Sequence, residues 1–98
     1  MTAIHWACKR GNESIVRLLL LWKANPNKRD YYRKTPIYYA IESDNSDIVS
    51  RLIINGARVD DPYHSYTALA KSKKVSMLIK KAKQVRNEEM IKYVDGVH

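Results

Sequence analysis

The sequence predicts an all-α protein in which short helix–turn–helix units stack in a row, joined by hairpin-like loops. Three observations carry that expectation. The chain writes one segment twice: Thr2 to Asn27 (TAIHWACKRGNESIVRLLLLWKANPN) lies over Thr35 to Asp60 (TPIYYAIESDNSDIVSRLIINGARVD) without a gap, at an offset of 33 residues. Thr2 falls on Thr35, Ala7 on Ala40, Ile15-Val16 on Ile48-Val49, Leu19-Leu20 on Leu52-Ile53 and Ala24 on Ala57. A fixed period of this size marks a stacked repeat. Within each copy the apolar residues recur at helical spacing, with Ile15, Leu18, Leu19 and Trp22 on one side and Ile48, Leu52 and Ile53 repeating most of the pattern. The punctuation agrees. Thr2 and Thr35 stand where a hydroxyl can cap a first turn, and Pro36 suits that turn because its missing N–H costs nothing there.

Each copy therefore reads as a short helix, a turn, a longer helix and an extended loop. In the first, Lys9-Arg10-Gly11-Asn12 makes the turn, and Gly11 suits a left-handed helix end. The second puts Asp44 there, a poorer choice. Gly56 follows the second long helix at the cap position; Lys23 holds that place in the first copy, so this end is expected to be strained or differently capped. The loop Asn25 to Lys34 sets Tyr31 and Tyr32 among Lys28, Arg29, Arg33 and Lys34. The loop after the second copy, Asp60 to Tyr66, counts one residue shorter when Thr67 is aligned with Thr35. A third unit opens at Thr67 and is cut short, its stripe Val75, Leu78, Ile79 and Ala82 docking on the second and its lysines facing outward. Helical spacing carries on through Val85, Glu89, Met90 and Tyr93, and Asp95-Gly96 ends it.

The period and the residues together resemble the ankyrin family: a Thr, a Pro or Ala and a small residue open the first helix, Ile-Val and Leu-Leu-type pairs run through the second, and Ala-x-x-Asn/Asp closes it. The resemblance covers Thr2 to about Ala82. It implies an ankyrin-repeat solenoid with repeats at about 2–34 and 35–66, a truncated C-terminal cap at 67–82, and a basic tail at 83–98. It also implies that His5 is a structural residue bonded to the neighbouring loop, and that Asp30 sits before a β-hairpin-like finger tip. Arg33 stands where glycine is usual there, so a distorted tip is expected; for Asp30 itself the next finger offers no clear counterpart. The chain meets the repeat's Thr at its second residue, which reads as a piece of a longer array, favoured over a natural minimal protein, and either way leaves apolar surface bare on the first repeat.

Length and composition set the remaining bounds. Ninety-eight residues make one thin, stacked domain, and the net charge of +8 suits acidic partners. The excess is denser at the C-terminal end: +5 over residues 62–98 against +3 over residues 1–61. The lone cysteine, Cys8, excludes an intrachain disulfide and fits a reducing compartment, cytoplasmic or nuclear. No apolar run approaches the roughly 20 residues of a membrane span. His5, His64 and His98 are scattered, the three glycines form no phosphate loop, and the pairs Asp60-Asp61 and Glu88-Glu89 are poorly disposed for acid–base work. The sequence thus predicts neither enzyme, metal nor cofactor.

The resemblance implies a protein-recognition module whose concave face, made of fingers and inner helices, binds a segment of another protein. On this chain that face holds Trp6, Lys9, Arg10, Tyr31, Tyr32, Lys34, Tyr39, Glu42, Tyr63 and His64. Tyrosines among mostly basic neighbours suit a partner with acidic and apolar residues. Two alternatives stand beside it. One is binding of nucleic acid or acidic lipid through the C-terminal lysines, marked by steep salt dependence. The other is a structural block of a larger array, self-associating through the bare N-terminal face.

Overall fold

The duplicated apolar pattern folds as duplicated helix pairs. The computed structural model describes the backbone of residues 1–96 and the side chains of residues 1–85. Six helices follow one another: α1 (Ala3–Arg10), α2 (Glu13–Leu21), α3 (Pro36–Glu42), α4 (Ser46–Ile54), α5 (Tyr66–Leu69) and α6 (Lys73–Gly96). The short helices line up, α1 against α3 and α3 against α5, while α2 packs on α4 and α4 on α6. The described residues contain no strand, so the loops between repeats are turns rather than sheet. No described helix is long and apolar enough to cross a membrane. The side chains of Met90 and Tyr93 lie outside the described residues.

The core runs along the join between the two layers. Val16 and Leu20 of α2, Ile37, Ala40 and Ile41 of α3, Ile48, Val49 and Leu52 of α4, and Val75 and Ile79 of α6 are all buried. Leu78 and Ala82 pack against this core, as their spacing predicts. The stripe expected on one side of α2 is divided, because Leu19 turns toward the core. Val16 and Leu20 face the core with Leu19 beside them, whereas Ile15, Leu18 and Trp22 face outward. The reason is position in the stack: within the layer of longer helices α4 lies between α2 and α6, whereas α2 meets α4 on one side and, across the layers, α1.

Side-chain acceptors start the helices. Asn12 Oδ1 accepts from the N–H of Ile15 at 3.2 Å and Asn45 Oδ1 from that of Ile48 at 3.1 Å. Ser65 Oγ accepts from Ala68 at 3.3 Å and Ser72 Oγ from Val75 at 3.2 Å. Helix α5 opens at Tyr66, one residue before the Thr67 at which the sequence alone starts a third unit. The cap expected from Thr35 is not made; its hydroxyl lies 2.7 Å from the hydroxyl of Tyr66 instead.

The long helices both end in a left-handed residue whose N–H, with the next one, folds back onto the last turn. Lys23 and Ala24 donate to Leu20 and Leu19 at 3.0 and 2.9 Å; Gly56 and Ala57 donate to Ile53 and Leu52 at 3.1 and 2.9 Å. Lys23 thus keeps the glycine geometry, at φ 68°, and bears its strain. Lys23→Gly is therefore expected to stabilise the chain by about 0.5–1 kcal/mol, the relieved left-handed strain outweighing glycine's extra unfolded-state entropy. An increased urea midpoint at unchanged slope is the expected reading.

Candidate partner-binding surface

The first finger is built on Asp30. Its Oδ1 accepts the N–H groups of Tyr32 at 2.8 Å and Lys34 at 3.0 Å, and its other oxygen accepts the Tyr39 hydroxyl. Burial pushes the Asp30 carboxyl up, but these three hydrogen bonds outweigh it and hold it below the usual range. The tip closes without distortion: Arg33 N–H donates to the Asp30 carbonyl at 3.0 Å and Asp30 N–H to the Lys34 carbonyl at 2.9 Å. Arg33 achieves this by adopting φ 62°, the glycine-like geometry. Tyr31 and Tyr32 are thereby held out from the tip, edge to face at 5.8 Å, with Tyr31 94% exposed.

The second finger has its own counterpart of Asp30, contrary to the sequence reading, and it is Asp61. Asp61 Oδ1 accepts the N–H of Tyr63 at 2.8 Å, two residues on, just as Asp30 does with Tyr32. Asp61 Oδ2 accepts the Tyr66 hydroxyl at 2.7 Å and Arg29 Nη1 at 2.8 Å. The same Arg29 nitrogen donates to the Arg33 carbonyl at 2.9 Å. Burial raises the Asp61 carboxyl's pKa, but the Tyr63, Tyr66 and Arg29 contacts prevail and lower it. The two fingers are thus tied across repeats by a carboxylate whose side chain is almost fully covered. The Asp-x-Tyr spacing, shared by Asp30 and Asp61, is the sequence signal that finds it.

On this frame the cations lie over the rings. Lys9 Nζ and Arg10 Cζ stand 5.3 and 5.5 Å from the centre of the half-exposed Trp6 ring. Lys34 Nζ stands 4.7 Å from Tyr38 and 5.7 Å from Tyr32. Arg29 and Arg33 stand 5.1 and 4.6 Å from Tyr63. His64 meets Tyr38 at 4.8 Å, and its Nε2 is buried with no partner. A groove of about 550 Å³ runs beside Tyr63 and His64, edged by Lys83. Sequence reasoning places Arg29, Arg33 and Tyr38 near this surface without assigning them to it.

Tyr39 is a correction. It is 5% exposed, its hydroxyl is held by Asp30 and its ring stands edge-on to His5 at 5.9 Å. Helix α1 covers it, so it supports the finger rather than presenting to a partner. Trp6, at the matching place in the first repeat, lacks that cover. Glu42 closes α3, partly exposed, near enough to Tyr39 to add to the field that raises its phenol's pKa, behind burial and the Asp30 contact.

Two buried groups are structural. Burial pushes the Cys8 thiol up to about 12, so no thiolate forms near neutrality. The His5 ring lies 3.0 Å from the Lys34 carbonyl through Nε2, while Nδ1 accepts the N–H of Thr2 at 3.1 Å. Burial lowers its pKa below 6.5 against the opposing pull of the Lys34 carbonyl. The folded chain then binds fewer protons than the unfolded one below pH 6.5. The contribution of His5 to stability is therefore expected to be flat above that pH and to fall beneath it, by at most about 1.4 kcal/mol per pH unit. Urea unfolding at stepped pH reads this, and His5→Gln, though less stable, is expected to flatten the profile.

A family model described as "Ankyrin repeats (3 copies)" matches residues 1–63. The chain is 38% identical over 55 residues to the ADP-ribosylation factor GTPase-activating protein AGD2 of Arabidopsis thaliana, covering 56% of this chain and 7% of that protein. It is 34% identical over 62 residues to the phosphate system positive regulatory protein PHO81 of Saccharomyces cerevisiae, covering 61% and 5%. It is 39% identical over 61 residues to the glycerophosphocholine phosphodiesterase gde1 of Schizosaccharomyces pombe, again covering 61% and 5%. The chain thus spans less than a tenth of the length of each of these relatives. With the duplicated helix pairs, the finger loops and the match over most of its length, the chain belongs to the ankyrin-repeat family.

Proposed function

We propose that the finger face of this chain binds an extended segment of another protein, one that carries acidic side chains beside apolar ones. Ankyrin repeats mediate protein–protein interaction, in a fold that is a non-catalytic interaction module. The observation that carries the finer reading is the cation-on-ring arrangement. Five cations, Lys9, Arg10, Arg29, Arg33 and Lys34, lie over the rings of Trp6, Tyr38 and Tyr63. A guanidinium or ammonium held this way keeps donors for a carboxylate, and the neighbouring ring offers rigid apolar area. The mechanism is binding alone, in an adaptor, scaffold or inhibitor.

Selection of random peptides displayed against the immobilised chain tests this. The expected winners combine Asp or Glu with aromatic or aliphatic residues, and are lost from an Arg33→Ala/Lys34→Ala bait. Winners without acidic residues, or winners retained by that bait, count against the reading.

A further inference from the structure

We propose that the surface made by the C-terminal ends of α2 and α4, with the side of α6 next to them, seats on an anionic phospholipid bilayer. Helix α2 ends on Leu21, 73% exposed, and is capped by Trp22, 77% exposed; α4 ends on Ile54, 81% exposed. Ile54 and Asn55 hold the places of Leu21 and Trp22 one repeat later, and both are exposed although α4 has a helix on either side of it. The exposure thus belongs to the place within the repeat and not to a missing neighbour.

Two grooves join the three helices into one surface. Leu78, Lys81 and Val85 share a side of α6 at helical spacing, and with Ile54 they line a groove of about 580 Å³. Lys23 and Asn55 line a smaller groove of about 260 Å³ between the ends of α2 and α4. Aliphatic side chains and lysines therefore alternate from Trp22 across to Val85.

The charge beside these residues is of one sign. Residues 62–85 include six lysines and no carboxylate. Glu13 and Asp47 lie in the first turns of α2 and α4, at the far ends from Leu21 and Ile54. Lys23 and Lys81 are exposed, and neither forms an ion pair with a described carboxylate.

Projecting aliphatic residues, a tryptophan and lysines together fit a bilayer interface. The ammonium groups meet anionic headgroups, Leu21, Ile54 and Val85 enter the acyl boundary, and the Trp22 indole lies at headgroup level. A nucleic acid uses the lysines but gives the aliphatic side chains nothing apolar to enter. The finger tyrosines take no part, so this surface is separate from the face proposed above.

Flotation with vesicles tests this. The chain is expected to float with vesicles of equimolar phosphatidylcholine and phosphatidylserine, to stay behind with phosphatidylcholine alone, and to be released by molar salt. Lys23→Asn/Lys81→Gln is expected to weaken binding about 20-fold and Ile54→Asn about tenfold. Lys9→Gln/Lys28→Gln removes the same charge elsewhere and is expected to cost about threefold or less. All these side chains are exposed, so circular dichroism of the variants should match the parent. In a Trp6→Phe chain, the emission of Trp22 is expected to move to shorter wavelength on the charged vesicles. No flotation, equal losses from the two lysine pairs, an unmoved Trp22 emission, or tighter binding to single-stranded polyuridylate lost with Lys23→Asn/Lys81→Gln overturns the proposal.

Discussion

Asp61→Ala is expected to lower the unfolding free energy by about 3 kcal/mol, a large share of the margin of so short a chain. The carboxylate is the one acceptor shared by Tyr63 N–H, the Tyr66 hydroxyl and Arg29. Removing it leaves Tyr66 with Thr35 alone and strips the partly covered Arg29 of its counter-charge. Asp61→Asn keeps an acceptor without the charge and is expected to cost about half as much. Equilibrium urea unfolding decides it: a loss under about 1 kcal/mol contradicts the claim that Asp61 ties the fingers together. The same carboxylates add an acid limit. Asp30 and Asp61 have folded pKa values below 3.8, so the stability they contribute is present above that pH and is lost as pH falls through the folded values.

The second large effect concerns affinity. Tyr32→Ala combined with Tyr63→Ala is expected to weaken binding of a selected acidic–apolar peptide on the order of 100-fold, since exposed aromatic anchors carry most of such an interface. Tyr63 is the ring beneath Arg29 and Arg33, so its loss also strips both guanidinium groups of that ring contact, while Asp61 keeps Arg29 in place. Lys28→Ala, on the same finger but with a solvated side chain, is expected to cost about threefold or less. Calorimetric titration separates the two: equal losses from the tyrosines and from Lys28 indicate diffuse charge attraction rather than aromatic anchoring. Both variants should fold, because Tyr32 and Tyr63 are largely outside the core.

The repeat and its helices were legible in the sequence because periodicity of 33 and of 3.6 residues are local and additive signals. The covering of Tyr39 was not. Its place on α3 matches that of Trp6 on α1, and only the stack distinguishes a ring with a helix beside it from one without. Spacing likewise shows that Ile15, Leu18 and Trp22 share a side, while only the stack shows that Leu19 leaves that side for the core. Asp61 was missed because the second finger is shorter, so a fixed offset slides past it; the Asp-x-Tyr turn is conserved in geometry between the two fingers rather than in register. The tip at Arg33 looked faulty because the rule for glycine there weighs strain alone. The Asp30 hydrogen bonds and the backbone pair across the tip are sufficient to hold a non-glycine in that geometry.

The central claim is that partners are taken by the finger face. The most direct measurement is a map of amide chemical-shift changes as a selected acidic–apolar peptide is titrated into labelled chain. The account predicts the largest changes at Tyr32, Lys34, Tyr38, Tyr63 and His64, with little at Leu21 or Ile54 on the outer helices. Changes centred on those outer helices, or on the lysines from Lys73 to Lys83, would contradict it and move the binding function to a different face.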